Sequence, residues 1–391
     1  MRARHVLKQS VLQRYYDIML VKTAVVVRKR TGKPLWSQAR EVITLWRGPG
    51  RLKPFDYYAY ELYDDRRYSF AEKKEFVSWR GYLPKLLNRP EWKAVCDDKL
   101  MTYSLFRGLC LPHPPVYAVF HPGSRTCGPI PVLRTREDMA DFLRRDMTYP
   151  FFGKPAQDWR GGGASSVDAI NRERDVLLLT TGAEIDVEEY VQSVPMTYCR
   201  GQKIRSRDPA GYLFQARVRQ HPLIDRLSGG RVSSLRLVVL LWPDGPRLHR
   251  VRWRLGVGKN VTDHAISGSG NLNCSINPKT GRVERVLASM GPEGTKYRAL
   301  GEEGTPVEHH PDTQEPIMGI QLPYWDRTVS LCLHAAAALP GVRYQSWDIV
   351  MGSDGPLFLE VNQHGAIVQI PGCRGFNDVE FRQFMSSIRK T

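Results

Sequence analysis

Residues 347–362 constrain the fold more than any other stretch. Trp347-Asp348-Ile349-Val350 and Leu357-Phe358-Leu359-Glu360-Val361-Asn362 are apolar runs on either side of a Ser353-Asp354-Gly355-Pro356 turn. Such runs around a turn predict a β-hairpin. Side chains alternate across a strand, so Asp348, Glu360 and Asn362 are expected on one face of it. Two carboxylates and an amide oxygen are hard ligands. They suit a Mg²⁺ ion that shares its octahedron with nucleotide phosphates and water. The competing reading is a surface hairpin with solvated acids.

A second stretch points to phosphate. Pro150-Phe151-Phe152-Gly153-Lys154-Pro155 predicts an apolar strand ending in a lysine, and Gly161-Gly162-Gly163-Ala164-Ser165-Ser166 follows. Glycines let backbone N–H groups approach phosphate oxygens, and the lysine adds a point charge for the same oxygens. The lysine precedes the glycines, so this is not a Walker A loop, and no GxGxxG is present. A flexible Gly/Ser linker is the bland alternative.

The 391 residues are 42% hydrophobic and 25% charged, an ordinary globular balance with room for two or three subdomains. Seven scattered cysteines without CxxC spacing argue against a disulfide framework or zinc site and fit a reducing cytosol. No clean signal peptide is visible, and no run approaches the ~20 apolar residues of a membrane span. A soluble, cytoplasmic protein is the expectation.

The net charge of +17 is uneven. Residues 1–100 hold 22 Lys+Arg against 11 Asp+Glu, and residues 200–260 hold 14 against 3. For residues 1–53 two readings stay open, a solvated basic surface and peripheral docking on an anionic membrane. No groove-reading helix motif is visible, so nucleic acid is not expected. In residues 200–260 the arginines Arg236 and Arg254 fall mid-strand among apolar residues. A buried guanidinium needs an anion, and its planar fork suits phosphate or carboxylate.

Periodicity and capping signals predict a mostly helical region over residues 1–95, with the aromatics of residues 55–63 packed inward. Beyond it, helices are expected from Asp98-Lys99 through Gly108, over Glu137–Arg145, from Asp186 through Val194, and over Thr328–Leu339. Strands are expected over Val116–Phe120, Pro150–Lys154, Tyr212–Val218, Ser234–Trp242 and Arg247–Leu255, and Val176–Leu179 is a short apolar run. The alternation is that of an α+β or α/β protein.

In this order the pieces resemble the ATP-grasp superfamily, and most closely its sugar-transfer associated family. The landmarks are Asp98-Lys99, Lys154 with Gly161–Gly163, Gln220-His221-Pro222, Ser234-Leu235-Arg236, Arg254-Leu255-Gly256, His310–Thr313, Trp347-Asp348 and Glu360-Val361-Asn362. The resemblance implies a helical N-terminal region (residues 1–95) and an ATP-grasp domain (residues 96–391). That domain divides into residues 96–150, a nucleotide-clasping part over 151–222, and a metal and substrate part over 223–391. Two α+β subdomains would clasp ATP. Lys99 and Lys154 would contact its phosphates, and the loop of Gly161, Gly162, Gly163, Ser165 and Ser166 would close over them. Gln215 and Val218 would form the adenine hinge, with His221 beside it. Val187-Glu188-Glu189-Tyr190-Val191 looks like the hinge of many relatives, but Asp186 marks it as a capped helix. The metal set would be Asp348, Glu360 and Asn362, holding Mg²⁺.

Arg236, Arg254 and Asn271 would face the reacting groups, next to a polar turn containing Asp263 and His264. The implied reaction joins a small carboxylate to an amine of amino-acid or amino-sugar type through an acylphosphate. The implied setting is surface-polysaccharide or specialised-metabolite synthesis. Ser346 stands where related peptide ligases often carry an arginine, so either Arg254 or Arg236 replaces it or the chemistry is not the usual acyl transfer, which leaves an ATP-dependent phosphotransferase as the alternative. A non-catalytic nucleotide-binding module is the third reading.

Overall fold

Two β-sheets organise the chain in a computed structural model that describes residues 20–78, 82–157, 163–194, 211–258, 271–288, 306–363 and 369–389. The first sheet contains β1 (Val116–Phe120), β2 (Val132–Leu133), β3 (Phe151–Pro155), β4 (Ser165–Asn171), β5 (Val176–Leu179), β6 (Glu184–Asp186) and β7 (Tyr212–Ala216). Its order is β2-β1-β7-β3-β4-β5-β6. The second contains β8 (Ser234–Trp242), β9 (Gly245–Leu255), β10 (Leu272–Ile276), β11 (Val283–Ala288), β12 (Tyr344–Gly352) and β13 (Gly355–Asn362), in the order β11-β10-β9-β8-β12-β13. The expected hairpin is β12–β13, with Gly352 opposite Gly355. Gly355 takes φ +140°, a value that side-chain-bearing residues rarely adopt.

Each sheet buries one face under helices. Phe151, Val167 and Phe214 of the first pack with Met139 and Leu143 of helix Arg136–Arg145 and Val187 and Val191 of helix Val187–Ser193. Asp186 caps the latter by accepting from the Glu188 and Glu189 N–H groups at 2.8 and 3.4 Å, so this segment is a helix and not a hinge strand. In the second sheet Leu235, Leu237, Val251, Trp253, Trp347 and Ile349 point to one side. They form a core with Cys332, Ala335 and Ala336 of helix Trp325–Ala337.

The N-terminal region is helical where described, over residues 20–31 and Leu35–Arg47. Residues 1–19 of the expected helical region lie outside the described residues. The aromatic run is internal as expected: Tyr57, Tyr58, Tyr60 and Tyr63 are buried with Val27, Leu45 and Phe76. Gln369 locks this region to the C-terminal part, donating to the Val77 carbonyl at 2.7 Å and accepting from the Val77 N–H at 2.9 Å.

Some elements depart from expectation. The strand beginning at Tyr212 stops at Ala216, and β4, β6, β10 and β11 carry no clear strand signal. They are short or polar, as in Ser165-Ser166 and Leu272-Asn273-Cys274-Ser275-Ile276, and their neighbours in the sheet impose the extended form. Among the described residues no helix is long and apolar enough to cross a membrane.

Candidate active site

Two lysines reach one cleft from different elements. Asp98 caps helix Lys99–Gly108, accepting from the Leu100 and Met101 N–H groups at 2.9 and 3.3 Å. Arg125 grips the same carboxylate with both Nη atoms, at 2.7 and 2.8 Å, and Gln157 donates to it at 2.6 Å. Burial alone would raise the pKa of Asp98, but Arg125 and Gln157 hold it below the usual range, so the cap stays ionised. The Lys99 N–H donates to the Ala156 carbonyl at 2.9 Å, pinning the start of the helix to the end of β3. Lys154 on β3 stands opposite Leu213 of β7, and Phe152 stands opposite Gln215. Lys99, Lys154, Leu213 and Gln215 line a pocket whose empty space of about 280 Å³ includes the open solvent at its mouth. Phe106, Tyr103, Phe358 and Leu359 supply its apolar walls.

Lys154 is electrostatically strained. Desolvation, reinforced by the charge of Lys99, pulls its pKa down to about 8, and Glu360 and Asp348 only partly offset this. Two ammonium groups facing one pocket concentrate positive charge there, an arrangement suited to an incoming polyanion.

Opposite the lysines lies the hairpin. Asp348 faces Ile349's partner strand through an irregular register: it pairs with Glu360, whereas Ile349 pairs with Phe358. Leu359 is therefore an extra residue, a β-bulge. The bulge reverses the alternation. Phe358 turns into the apolar core against Trp347, while Glu360 and Asn362 keep the phase of Asp348. Asn362 Nδ2 donates to Glu360 Oε1 at 3.0 Å.

Asp348 is buried and held by arginines. Arg236 forks it, Nε to Oδ1 at 2.7 Å and Nη2 to Oδ2 at 2.6 Å, and Arg254 Nη2 reaches Oδ2 at 3.2 Å. Burial would raise its pKa, but Arg236 and Arg254 hold it far below the usual carboxylate range. The anion that the strand arginines require is thus supplied by the protein itself.

Register extends this pair into a row across the whole sheet. Glu360, Asp348, Arg236, Arg252, Ser275 and Arg285 are successive cross-strand partners from β13 to β11. With strands ~4.8 Å apart, the row runs from two acids to three arginines over roughly 20–25 Å.

Residues 80–381 match the family described as sugar-transfer associated ATP-grasp. The chain belongs to this family. The ATP-grasp fold expected from the sequence is therefore its fold. Solved structures with a similar fold include the ATP-grasp ligase PsnB complexed with a minimal precursor, at 16% identity and a TM-score of 0.38, covering 78% of this chain and 64% of that one. The VanG D-Ala:D-Ser ligase from Enterococcus faecalis has 13% identity and a TM-score of 0.41, covering 80% and 68%. An L-amino acid ligase from Bacillus licheniformis has 14% identity and a TM-score of 0.35, covering 69% and 41%. No curated protein matches the sequence. This chain spans about two thirds or less of the length of these three ligases.

Within the ATP-grasp fold, the expected site residues divide. Lys99, Lys154 and Gln215 share the pocket, and Asp348, Glu360, Asn362, Arg236 and Arg254 form the neighbouring polar cluster. Ser165 and Ser166, expected in the phosphate loop, open β4. The Ser165 hydroxyl lies 2.7 Å from the Tyr190 hydroxyl and 3.0 Å from that of Tyr212, and Ser166 accepts from Thr180 at 2.8 Å. The Gly163 carbonyl accepts from the Tyr212 hydroxyl at 3.0 Å, while Gly161 and Gly162 lie outside the described residues. His221 caps helix Pro222–Ser228, its Nδ1 accepting from the Leu223 N–H at 3.1 Å, and its own N–H donates to the Met351 carbonyl. It does not line the pocket. Asn271 accepts from the Val257 N–H at 2.9 Å, which joins the ends of β9 and β10, and Val218 lies half-buried beyond β7. Asp263 and His264 lie outside the described residues.

Sequence reasoning missed Arg125 and the apolar walls. Phe358 and Leu359 were available as immediate neighbours of Glu360. His113 and Pro114, which also line the pocket, sit in a connection without a local signal.

Proposed function

We propose that the protein is an ATP-dependent ligase joining a carboxylate to an amine through an acylphosphate. The convergence of Lys99, Lys154, Glu360 and Asp348 on one cleft of an ATP-grasp fold carries this reading. The pocket walled by Phe106, Phe358 and Gln215 takes the adenine, and Lys99 and Lys154 hold the phosphates.

The residues fit a divalent cation. Three guanidinium bonds occupy most of the roughly four lone-pair sites of Asp348, which leaves it one position toward Glu360. Two carboxylates this close favour a shared cation, and the Asn362 amide oxygen completes a hard set. Bound there, Mg²⁺ supplies charge neutralisation for phosphate oxygens. Substitution of Glu360 by Gln is expected to weaken Mg²⁺ dependence more than nucleotide affinity, since the lysines remain.

In the reaction, a substrate carboxylate oxygen forms a bond to the γ-phosphorus as the bond to the ADP oxygen breaks. The amine nitrogen then bonds to the acyl carbon and phosphate departs. The side chains mainly position and neutralise. Arg252 and Arg285, outward of Asp348 in the same row, seat the carboxylate-bearing substrate. An amino acid or amino sugar is the matching partner, in surface-polysaccharide or specialised-metabolite assembly.

One observation favours a second reading, transfer of phosphate to a hydroxyl. Arg236 and Arg254 are both engaged with Asp348, and buried Ser346 stands where an arginine would face an acyl oxyanion. Hydroxylamine trapping separates the two. A ligase converts a panel of carboxylates to hydroxamates with matching ADP release. ADP release with hydroxyl compounds and no hydroxamate favours the phosphotransferase.

Nucleotide binding itself has a proton signature. Phosphates beside Lys154 raise its lowered pKa, so at pH 8 binding takes up about half a proton per site. Titration calorimetry in two buffers of different ionisation enthalpy reads this uptake directly, and it is expected to vanish by pH 6.5.

A further inference from the structure

The cleft leaves the N-terminal surface unexplained. On helix Leu35–Arg47 the face opposite buried Gln38 and Leu45 carries Trp36, Ile43 and Trp46, which are 67%, 48% and 56% exposed. Their spacing places them on one stripe of the helix. Leu35, Val21, Val25 and Val26 are exposed as well. Large apolar side chains held in water along one helix stripe mark an interaction surface.

Charge identifies the partner. Residues 20–53 contain nine Lys+Arg and one acid, Glu41. Glu41 is turned inward, accepting from Lys33 at 2.7 Å, Lys73 at 3.1 Å and the Tyr57 hydroxyl at 2.8 Å. Residues 20–53 therefore contribute no exposed carboxylate of their own, and of their nine cations Lys33 is buried against Glu41 and Asp65. Arg40 and Arg47 flank the apolar stripe, and the Arg40 guanidinium sits 6.0 Å from the centre of the Trp36 ring. Nucleic acid would use the cations and stack on the tryptophans, but Ile43, Leu35 and the valines would gain nothing from it. A bilayer surface uses all three classes: aliphatic groups enter the acyl boundary, indoles sit at headgroup level, and arginines meet lipid phosphates.

We propose that this face docks on an anionic lipid bilayer, with helix Leu35–Arg47 lying in the interface plane and Trp36, Ile43 and Trp46 inserted. The proposal is independent of the reading of the cleft, and it places the active site at a membrane surface without a spanning helix.

The test is co-sedimentation of the full chain with phosphatidylcholine vesicles and with vesicles containing 30 mol% phosphatidylserine, at 50 and 500 mM salt. Wild type is expected to bind the anionic vesicles at low salt, to leave the neutral ones, and to weaken with salt. Brominated lipid is expected to quench its tryptophan fluorescence. The variant combining Trp36→Ser, Ile43→Ser and Trp46→Ser changes only exposed side chains, and an unchanged thermal melt verifies its fold. It is expected to lose at least about tenfold in partitioning. Absence of wild-type binding at 50 mM salt overturns the proposal, as does wild-type partitioning by the triple variant. Loss of all binding when only Arg2, Arg4, Lys8 and Arg14 are neutralised, with the triple variant still bound, assigns the contact to the first residues and also overturns it.

Discussion

Lys154→Met is expected to stabilise the free protein while abolishing the stabilisation that Mg-ATP confers. Desolvation and the charge of Lys99 lower the Lys154 pKa from 10.5 to about 8. At 1.36 kcal/mol per unit, the full shift corresponds to about 3 kcal/mol of strain. Lys154 is only half-buried, and screening reduces that figure to about 1–2 kcal/mol. Methionine fills a similar volume without a charge to desolvate, so it removes the strain. The sign with pH is distinctive. Below about pH 8 the ammonium is charged in both folded and unfolded chains, and the strain is fully present. Between about pH 8 and 10.5 the folded chain has released the proton and the unfolded chain has not, so wild-type stability rises with pH through this window. The advantage of the variant is therefore largest below pH 8 and gone above pH 10.5. Thermal melts across that range, with and without millimolar Mg-ATP, check both halves. A variant less stable than wild type at pH 7 would mean that the aliphatic stem of Lys154, and not its charge, governs the site.

Such a residue is legible in sequence because the local pattern around it is simple. Lys154 ends an apolar strand, and Asp98-Lys99 starts a helix with its own cap, so both could be placed before their surroundings were known. The hairpin was legible for the same reason, although strict alternation would have put Phe358 on the face of Glu360. The Leu359 bulge resolves that conflict, and a one-residue insertion has no signature in composition or period. The surroundings of Ser165 were not legible, because Tyr190 and Tyr212, whose hydroxyls it meets, are distant in sequence. The arginine row was half legible. Burial demanded an anion for Arg236 and Arg254, but its identity as Asp348 depends on β8 lying beside β12, a pairing across more than a hundred residues.

That pairing yields the second large effect. Arg236→Met is expected to cost about 3–5 kcal/mol, because it strands Asp348 in the interior with the single 3.2 Å contact to Arg254. In wild type the folded pKa of Asp348 lies far below the ordinary 3.8, so its contribution is complete above pH 3.8 and is lost only as pH falls through the folded value. In the variant, burial dominates and raises the pKa. The folded chain then holds a proton that the unfolded chain releases, and stability from this group falls as pH rises above 3.8. The gap between wild type and variant should widen from pH 4 to pH 7 in urea melts. A gap independent of pH would assign the cost to lost packing. Adding Asp348→Leu removes the stranded charge and should recover much of the stability without restoring turnover, since the hard ligand is gone with it. Arg236→Lys keeps the charge and loses the fork, so it should fall between wild type and Arg236→Met in stability. Recovery of stability without activity in the double variant would separate the pairing of Asp348 with Arg236, which holds the sheet together, from the metal-ligand role proposed for it.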